Sequence, residues 1–157
     1  MDLEKFIRTV PDFPIKGINF YDITTLFENN ITFNYIIELL FERYKSEKID
    51  KVVGIEARGF MLGAALAYKL NVGFVPIRKK GKLPYKTISE TYSLEYGEDT
   101  VEIHIDAIQK NQNILLVDDL IATGGTANAS TKLINNLDGI IKECCFIIDL
   151  PELGGSN

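Results

Sequence analysis

An α/β fold, with a central, mostly parallel sheet flanked by helices, is the class this sequence predicts. Short β-branched or aliphatic runs at Lys51–Ile55, Val72–Ile77, Asn113–Val117 and Glu143–Leu150 alternate with helical stretches. Those runs are apolar almost throughout, the pattern of strands buried on both faces of a parallel sheet. No repeat, low-complexity tract or Ser/Gly linker divides the chain, so residues 1–157 read as one domain. At 157 residues, 46% of them hydrophobic, the chain is long enough for a sizeable core.

Taken in order, the first clear element is helical. Phe33, Ile36, Ile37, Leu40, Phe41 and Tyr44 follow the spacing of an amphipathic helix over 33–44. Lys51–Ile55 (KVVGI) is a short buried strand. Gly59–Leu70 follows as a small-residue helix, its Gly and Ala content suited to close packing on a sheet. Val72–Ile77 is the next strand. Residues 79–100 then break the rhythm with two glycines, a proline and many charges, and a loop of that length in a compact domain is usually functional or disordered. The flanking Thr91–Glu95 and Val101–Ile105 could pair as an antiparallel hairpin. Asn113–Val117 (strand), Thr126–Leu137 (helix) and Glu143–Leu150 (strand) restore the alternation.

Composition excludes several classes. The longest stretch without a formal charge, Leu120–Thr131, is half polar and too short for a membrane span of roughly 20 apolar residues. Met1–Lys5 has no basic segment leading into an apolar run, so no secretory signal is expected. Cys144 and Cys145 are adjacent and cannot build a disulfide framework, which points to a reducing, cytoplasmic setting. In a core strand they read as buried, inert thiols. The lone histidine, His104, lies between Ile103 and Ile105 and reads as structural or surface-exposed. A net charge of −5 is a poor basis for nonspecific nucleic-acid binding. Yet five of the 17 Lys and Arg residues (Arg78, Lys79, Lys80, Lys82, Lys86) crowd into 78–86, which favours a small polyanion.

Chemistry concentrates at Ile114–Thr126 (ILLVDDLIATGGT). A hydrophobic strand ends in Asp118 and Asp119, and a loop of small and hydroxylated residues leads into a helix. Thr123-Gly124-Gly125-Thr126 puts unencumbered backbone N–H groups at a helix N-terminus, which carries about half a positive charge and suits a phosphate. Asp118 and Asp119 could accept hydrogen bonds from a sugar diol or hold Mg²⁺ through water. A Gly-Gly after a strand is by itself an ordinary turn. Two preceding acids and two flanking threonines make it a phosphosugar site. Neither a Walker A loop nor a G-x-G-x-x-G fingerprint is present.

VDDLIATGGT resembles the phosphoribosyl-pyrophosphate-binding motif of the type I phosphoribosyltransferases. Three further segments narrow the resemblance to the adenine branch of that family: Val10–Pro14 with Gly17–Asp22; Gly54–Phe60 (GIEARGF); and Arg78–Pro84 (RKKGKLP) running on to Tyr92–Gly97 (YSLEYG). The likeness covers essentially the whole chain, in order and spacing. It implies the type I phosphoribosyltransferase fold, with a flexible hood loop over 79–100 and an N-terminal base-binding segment.

The resemblance also implies a reaction, in which N9 of adenine displaces pyrophosphate from the ribose of phosphoribosyl pyrophosphate to give AMP. Asp118, Asp119 and Ala122 through Thr126 (Ala122, Thr123, Gly124, Gly125, Thr126) would bind the phosphosugar. Arg58 would contact pyrophosphate or substrate, while Arg78, Lys79 and Lys82 would neutralise the leaving group, with a subunit boundary as one setting for that contact. Glu95, on the hood, would take the N9 proton, with Tyr96 packed beside it. Asn19, Phe20 and Tyr21 would bind the base. Mg²⁺ would be held through substrate and water, with no direct protein ligand, and the enzyme would be a cytoplasmic homodimer binding no nucleic acid or membrane.

Two departures from the family pattern are visible. An apolar residue often stands at the position of Asn19 and an arginine at that of Tyr21, so a side-chain donor near the base is missing and backbone readout of adenine takes on more weight. Family members also commonly run on past Asp149–Gly155 into a last strand, so the domain is expected to be shortened at its C-terminus.

Overall fold

The structure, a computed structural model, describes residues 1–94 and 97–156. It divides into two compact units, Met1–Arg43 and Tyr44–Asn157.

In the first unit a 3-10 turn (Leu3–Phe6) leads into β1 (Arg8–Val10), which pairs antiparallel with β2 (Phe20–Asp22), Val10 opposite Phe20 and Arg8 opposite Asp22. The connection between them is drawn together locally. Asp12 takes the left-handed φ of 56°, its carboxylate accepts the Gly17 N–H at 2.7 Å, and Phe13 meets Phe20 edge-on at 5.1 Å. Two helices follow, α1 (Thr24–Glu28) and α2 (Asn30–Tyr44), the last residue of α2 belonging to the second unit. Asn29 caps α2, its side-chain oxygen accepting the N–H groups of Ile31 (3.0 Å) and Thr32 (3.2 Å). Of the expected apolar stripe, Ile36, Ile37, Leu40 and Tyr44 are buried, and Phe33 and Phe41 half-buried.

The second unit is built on a six-stranded sheet. In chain order its elements are β3 (Lys51–Ile55), α3 (Arg58–Leu70), β4 (Gly73–Lys79), β5 (Thr87–Ser93), β6 (Glu98–His104), β7 (Asn113–Ile121), α4 (Gly125–Asn136) and β8 (Ile140–Asp149). The strands lie in the order β5-β6-β4-β3-β7-β8. β4, β3, β7 and β8 run parallel, as their apolar sequences predict, while β6 is antiparallel to both β4 and β5. The helices take opposite faces. Val53 and Ile55 of β3 join a buried cluster with Ala129, Leu133 and Ile134 of α4. On the other face Gly54 lies against Gly59 and Gly63 of α3, where a Cβ would come within 2.8 Å of the Gly59 carbonyl oxygen. Glycine there lets helix and strand approach backbone to backbone.

Segment 79–100 is more regular than its composition suggests. Its hairpin pairs Thr87–Ser93 with Glu98–His104, Thr91 opposite Thr100, and β6 continues the main sheet through Lys79 opposite Val101. His104 keeps a structural place, half-buried and accepting the Tyr85 N–H at 3.4 Å. Cys145 is buried and Cys144 half-buried, where burial pushes the Cys144 thiol pKa up. No helix among the described residues is long and apolar enough to cross a membrane.

Candidate active site

β7 runs further than the apolar run NILLV predicts. Its partner β8 keeps pairing, with Asp118 opposite Phe146, Leu120 opposite Ile148 and Ile121 opposite Asp149. The two aspartates therefore lie within a strand rather than at its end, which fixes their backbones in the ladder. Ala122–Gly124 then turn the chain into α4. Gly124 adopts φ of 81°, a conformation open to glycine, and among the described residues no side chain caps the helix. The first-turn amides stand at the positive end of a 12-residue helix. This loop, with Asp118 and Asp119, lines a cavity of ≈ 260 Å³.

A second turn meets it. Between β3 and α3 the Glu56–Ala57 peptide is cis, and α3 begins at Arg58. Arg58 donates through Nε to Oδ2 of Asp119, a buried carboxylate, so an ion pair joins this turn to β7. Gly59 follows directly, so near β7 that a Cβ would stand 2.8 Å from the Val117 carbonyl oxygen and 2.9 Å from Asp118 Oδ1. Asp118 Oδ1 accepts the Asp119 N–H at 2.9 Å. Burial first, and then the neighbouring Asp119 carboxylate, push the Asp118 carboxyl well above the ordinary carboxylate range.

The basic cluster is compensated from within. Glu56 accepts from Lys82 Nζ at 2.5 Å, from the Lys79 N–H at 2.9 Å and from Arg78 Nε at 3.3 Å. Burial alone would raise the Glu56 pKa, but these donors outweigh it and hold the carboxyl down at about 2. Lys79 Nζ donates to Asp99 and, at 2.9 Å, to the Tyr92 hydroxyl. Burial would lower its pKa, yet the Asp99 and Tyr92 contacts hold it above the ordinary lysine value. Tyr92 also lies against the start of α4, its Cδ2 3.1 Å from where a Gly125 Cβ would stand.

Two strand-to-helix turns on neighbouring parallel strands, with Arg58 and Lys79 lining the same cavity, suit a ligand bearing phosphates at both ends. No group of three or more His, Cys, Asp or Glu residues able to hold a metal ion occurs among the described residues.

Comparison with known proteins agrees with this geometry. The family described as "Phosphoribosyl transferase domain" matches residues 22–153. An adenine phosphoribosyltransferase of Ruegeria pomeroyi is 61% identical over 153 residues, covering 98% of this chain and 86% of its own. The chain belongs to the adenine phosphoribosyltransferase family.

Solved structures of that family superpose closely. An adenine phosphoribosyltransferase from Thermoanaerobacter pseudethanolicus has a TM-score of 0.95 at 50% identity, covering 99% of this chain and 90% of its own. One from Trypanosoma brucei, solved with AMP, pyrophosphate and ribose-5-phosphate, has a TM-score of 0.90 at 33% identity and covers 98% and 68%. The type I phosphoribosyltransferase architecture expected from the sequence is the one observed.

Within this adenine phosphoribosyltransferase fold the expected residues are distributed unevenly. Arg58 and Lys79 line the cavity from α3 and β4, Asp118 and Asp119 from β7, and Ala122 through Thr126 from the loop into α4. Arg78 and Lys82 reach it through Glu56, to which both are bound. Asn19 is exposed, and Phe20 and Tyr21 are half-buried in β2 of the first unit. Glu95 and Tyr96 lie outside the described residues. Sequence reasoning did not single out Glu56, Tyr92, Asp99 and Phe146, which lie at or beside the cavity. Phe146 is set by strand register, and Asp99 is one acid among many in segment 79–100, so neither carried a local signal.

Proposed function

We propose that this chain performs purine salvage, transferring the 5-phosphoribosyl group from phosphoribosyl pyrophosphate to N9 of adenine. The bond from the anomeric carbon to the pyrophosphate oxygen breaks, the bond to N9 forms, and AMP and pyrophosphate leave. The observation that carries this reading is the convergence of Arg58, Lys79 and the 122–126 loop on one cavity. Curated relatives bearing the adenine phosphoribosyltransferase name support it.

In this reading the 5-phosphate binds the α4 N-terminus, where Gly124 and Gly125 leave the amides accessible. Asp118 and Asp119 accept from the ribose hydroxyls. Arg58 and Lys79, with Arg78 and Lys82 behind them, draw charge from the departing pyrophosphate, so catalysis is mainly positioning and charge stabilisation. The aspartate pair also suits Mg²⁺, whose charge would favour the ionised form of Asp118 and which takes one or two carboxylates together with substrate phosphates and water rather than a protein cage. Asp118 and Asp119 would hold it through water and substrate, and when bound it supplies charge stabilisation to the leaving diphosphate. Glu95 receives the N9 proton, Tyr96 being its neighbour on the hood, and the hood excludes water from a ribosyl centre that would otherwise hydrolyse. Asn19, Phe20 and Tyr21 hold the base. The chain acts as one phosphoribosyltransferase domain over 1–157, as a homodimer in the cytoplasm.

The test is AMP formation from adenine and phosphoribosyl pyrophosphate with Mg²⁺, with hypoxanthine, guanine and xanthine as competing bases. Strong preference for adenine is expected, with activity collapsing in Glu95→Gln and Asp118→Asn. Preference for another base would make Asn19 and Tyr21 a specificity switch. Binding of phosphoribosyl pyrophosphate without turnover would point to a silent binding module.

A further inference from the structure

The segment after β8 returns to the phosphate loop. Leu150 donates its N–H to the Ile121 carbonyl at 3.0 Å, and Gly155 donates to the Ala122 carbonyl at 2.9 Å. Between these bonds Pro151–Leu153 makes one 3-10 turn, closed by Gly154 at φ 76°, whose N–H reaches the Pro151 carbonyl at 3.1 Å. The return lays the Gly155 backbone directly on the loop. A Cβ on Gly155 would stand 2.3 Å from the Ala122 oxygen, 2.6 Å from Gly124 N and 2.8 Å from the Thr123 carbonyl carbon. From the other side, a Cβ on Gly124 would stand 3.0 Å from the Gly155 oxygen. Every one of these neighbours is a backbone atom, so no side-chain rotation can make room.

We infer that residues 150–155 form a strap that holds the phosphate loop, and that Gly155 is a positioning residue for the sugar-phosphate end of the site. A loop that binds an anion through backbone amides works by having those amides already aimed, and a small misplacement weakens every bond at once. The two strap bonds grip the loop at Ile121 and Ala122, immediately before the residues whose amides open α4. Gly155 acts through that grip and touches no substrate. Its effect is therefore confined to the 5-phosphate end, leaving the pyrophosphate end at Arg58 and Lys79 alone. The inference rests on the phosphosugar reading of the loop.

The experiment is calorimetric titration of ribose 5-phosphate and, separately, pyrophosphate with Mg²⁺, into the full chain and two variants. Gly155→Ala is expected to weaken ribose 5-phosphate about tenfold or more while leaving pyrophosphate within about twofold, and to raise the KM for phosphoribosyl pyrophosphate but not for adenine. Gly139→Ala is the crowding control. Its Cβ would press on Ile134 Cγ2 at 2.9 Å, away from the loop, so it should lose stability yet keep both affinities. Unchanged ribose 5-phosphate affinity in Gly155→Ala, or equal loss of both ligands, overturns the inference. Should Gly155→Ala fail to fold, hydrogen exchange on the wild type decides. Ribose 5-phosphate, and not pyrophosphate, should slow exchange across 150–156, and unaltered exchange there overturns the strap. A wild type that binds no ribose 5-phosphate overturns the phosphosugar reading itself, and the strap's role with it.

Discussion

Arg58, the first residue of α3, donates through Nε to Asp119 near the end of β7, so one ion pair ties the start of α3 to the strand that leads into the 122–126 loop. The Asp119 side chain is only 6% exposed and that of Arg58 39%, so the carboxylate depends on its partner more than the guanidinium does. Arg58→Ala leaves a buried charge less well paired. Because Arg58 itself is partly solvated, the expected loss of stability is about 1–2 kcal/mol, below the figure for a fully buried pair. Arg58→Lys should restore little, since a lysine has no Nε–H at that point of the side chain. Urea denaturation with pyrophosphate titration checks both, and recovery of wild-type affinity by Arg58→Lys would show that charge alone suffices.

Lys79 reaches the cavity already neutralised by Asp99, so an arriving pyrophosphate competes with an internal carboxylate. Asp99→Asn keeps the shape of the contact and removes the competing charge. Both partners are about one-third exposed, at 36% and 31%, so the gain is modest, about 0.5–1 kcal/mol, or roughly two- to fivefold tighter pyrophosphate. The cost falls on product release, and kcat should drop if that release limits turnover. Weaker pyrophosphate binding in Asp99→Asn would instead mean that Asp99 orients Lys79 rather than masking it.

Glu56 makes an acid-limb prediction. Its carboxyl is held at about 2 in the folded chain against an ordinary 4.5, so the folded state favours the ionised form. The stabilisation is complete above pH 4.5 and is lost as pH falls from there through about 2. The full shift corresponds to about 3 kcal/mol, and screening at the half-exposed Lys82 brings it nearer 2 kcal/mol. Glu56→Gln should therefore lower the melting temperature at pH 7 and flatten its decline between pH 4.5 and 2. Parallel acid limbs in wild type and variant would exclude Glu56 as the group responsible.

These three contacts also mark what the sequence made legible. The parallel strands, both flanking helices and the 122–126 loop were readable because each depends on local signals: apolar runs, helical spacing, and glycines beside hydroxyls. The turn before Arg58 was readable as a strand-to-helix junction. The pairings Glu56–Lys82, Lys79–Asp99 and Arg58–Asp119 were not, because each joins residues brought together by strand order. The same holds for β7. Its apolar run stops at Val117, but pairing with β8 carries the strand on to Ile121 through two aspartates and sets where they lie. The short β1 and β2, with burial patterns too weak to show alternation, gave no periodic signal.

Gly59 and Gly63 lie one turn apart on α3 and separate positioning from packing. Alanine is the better helix former by roughly 0.5–1 kcal/mol at either place, so any loss must come from contact. At Gly63 the Cβ meets Phe74 Cε2 at 2.9 Å, the edge of a ring, with the nearest backbone atom at 3.5 Å. At Gly59 it meets the Val117 carbonyl oxygen at 2.8 Å and Asp118 Oδ1 at 2.9 Å, neither of which can yield without moving β7 or the carboxylate. Both variants should lose about 1–3 kcal/mol of stability to overpacking. Gly59→Ala should in addition lower kcat/KM for phosphoribosyl pyrophosphate about tenfold or more, since a misplaced carboxylate no longer meets the ribose hydroxyls. Gly63→Ala should stay within about twofold of wild type below its melting temperature, its strain absorbed by rotation of Phe74. Equal kcat/KM in the two variants would remove Asp118 from the list of groups whose position limits the reaction.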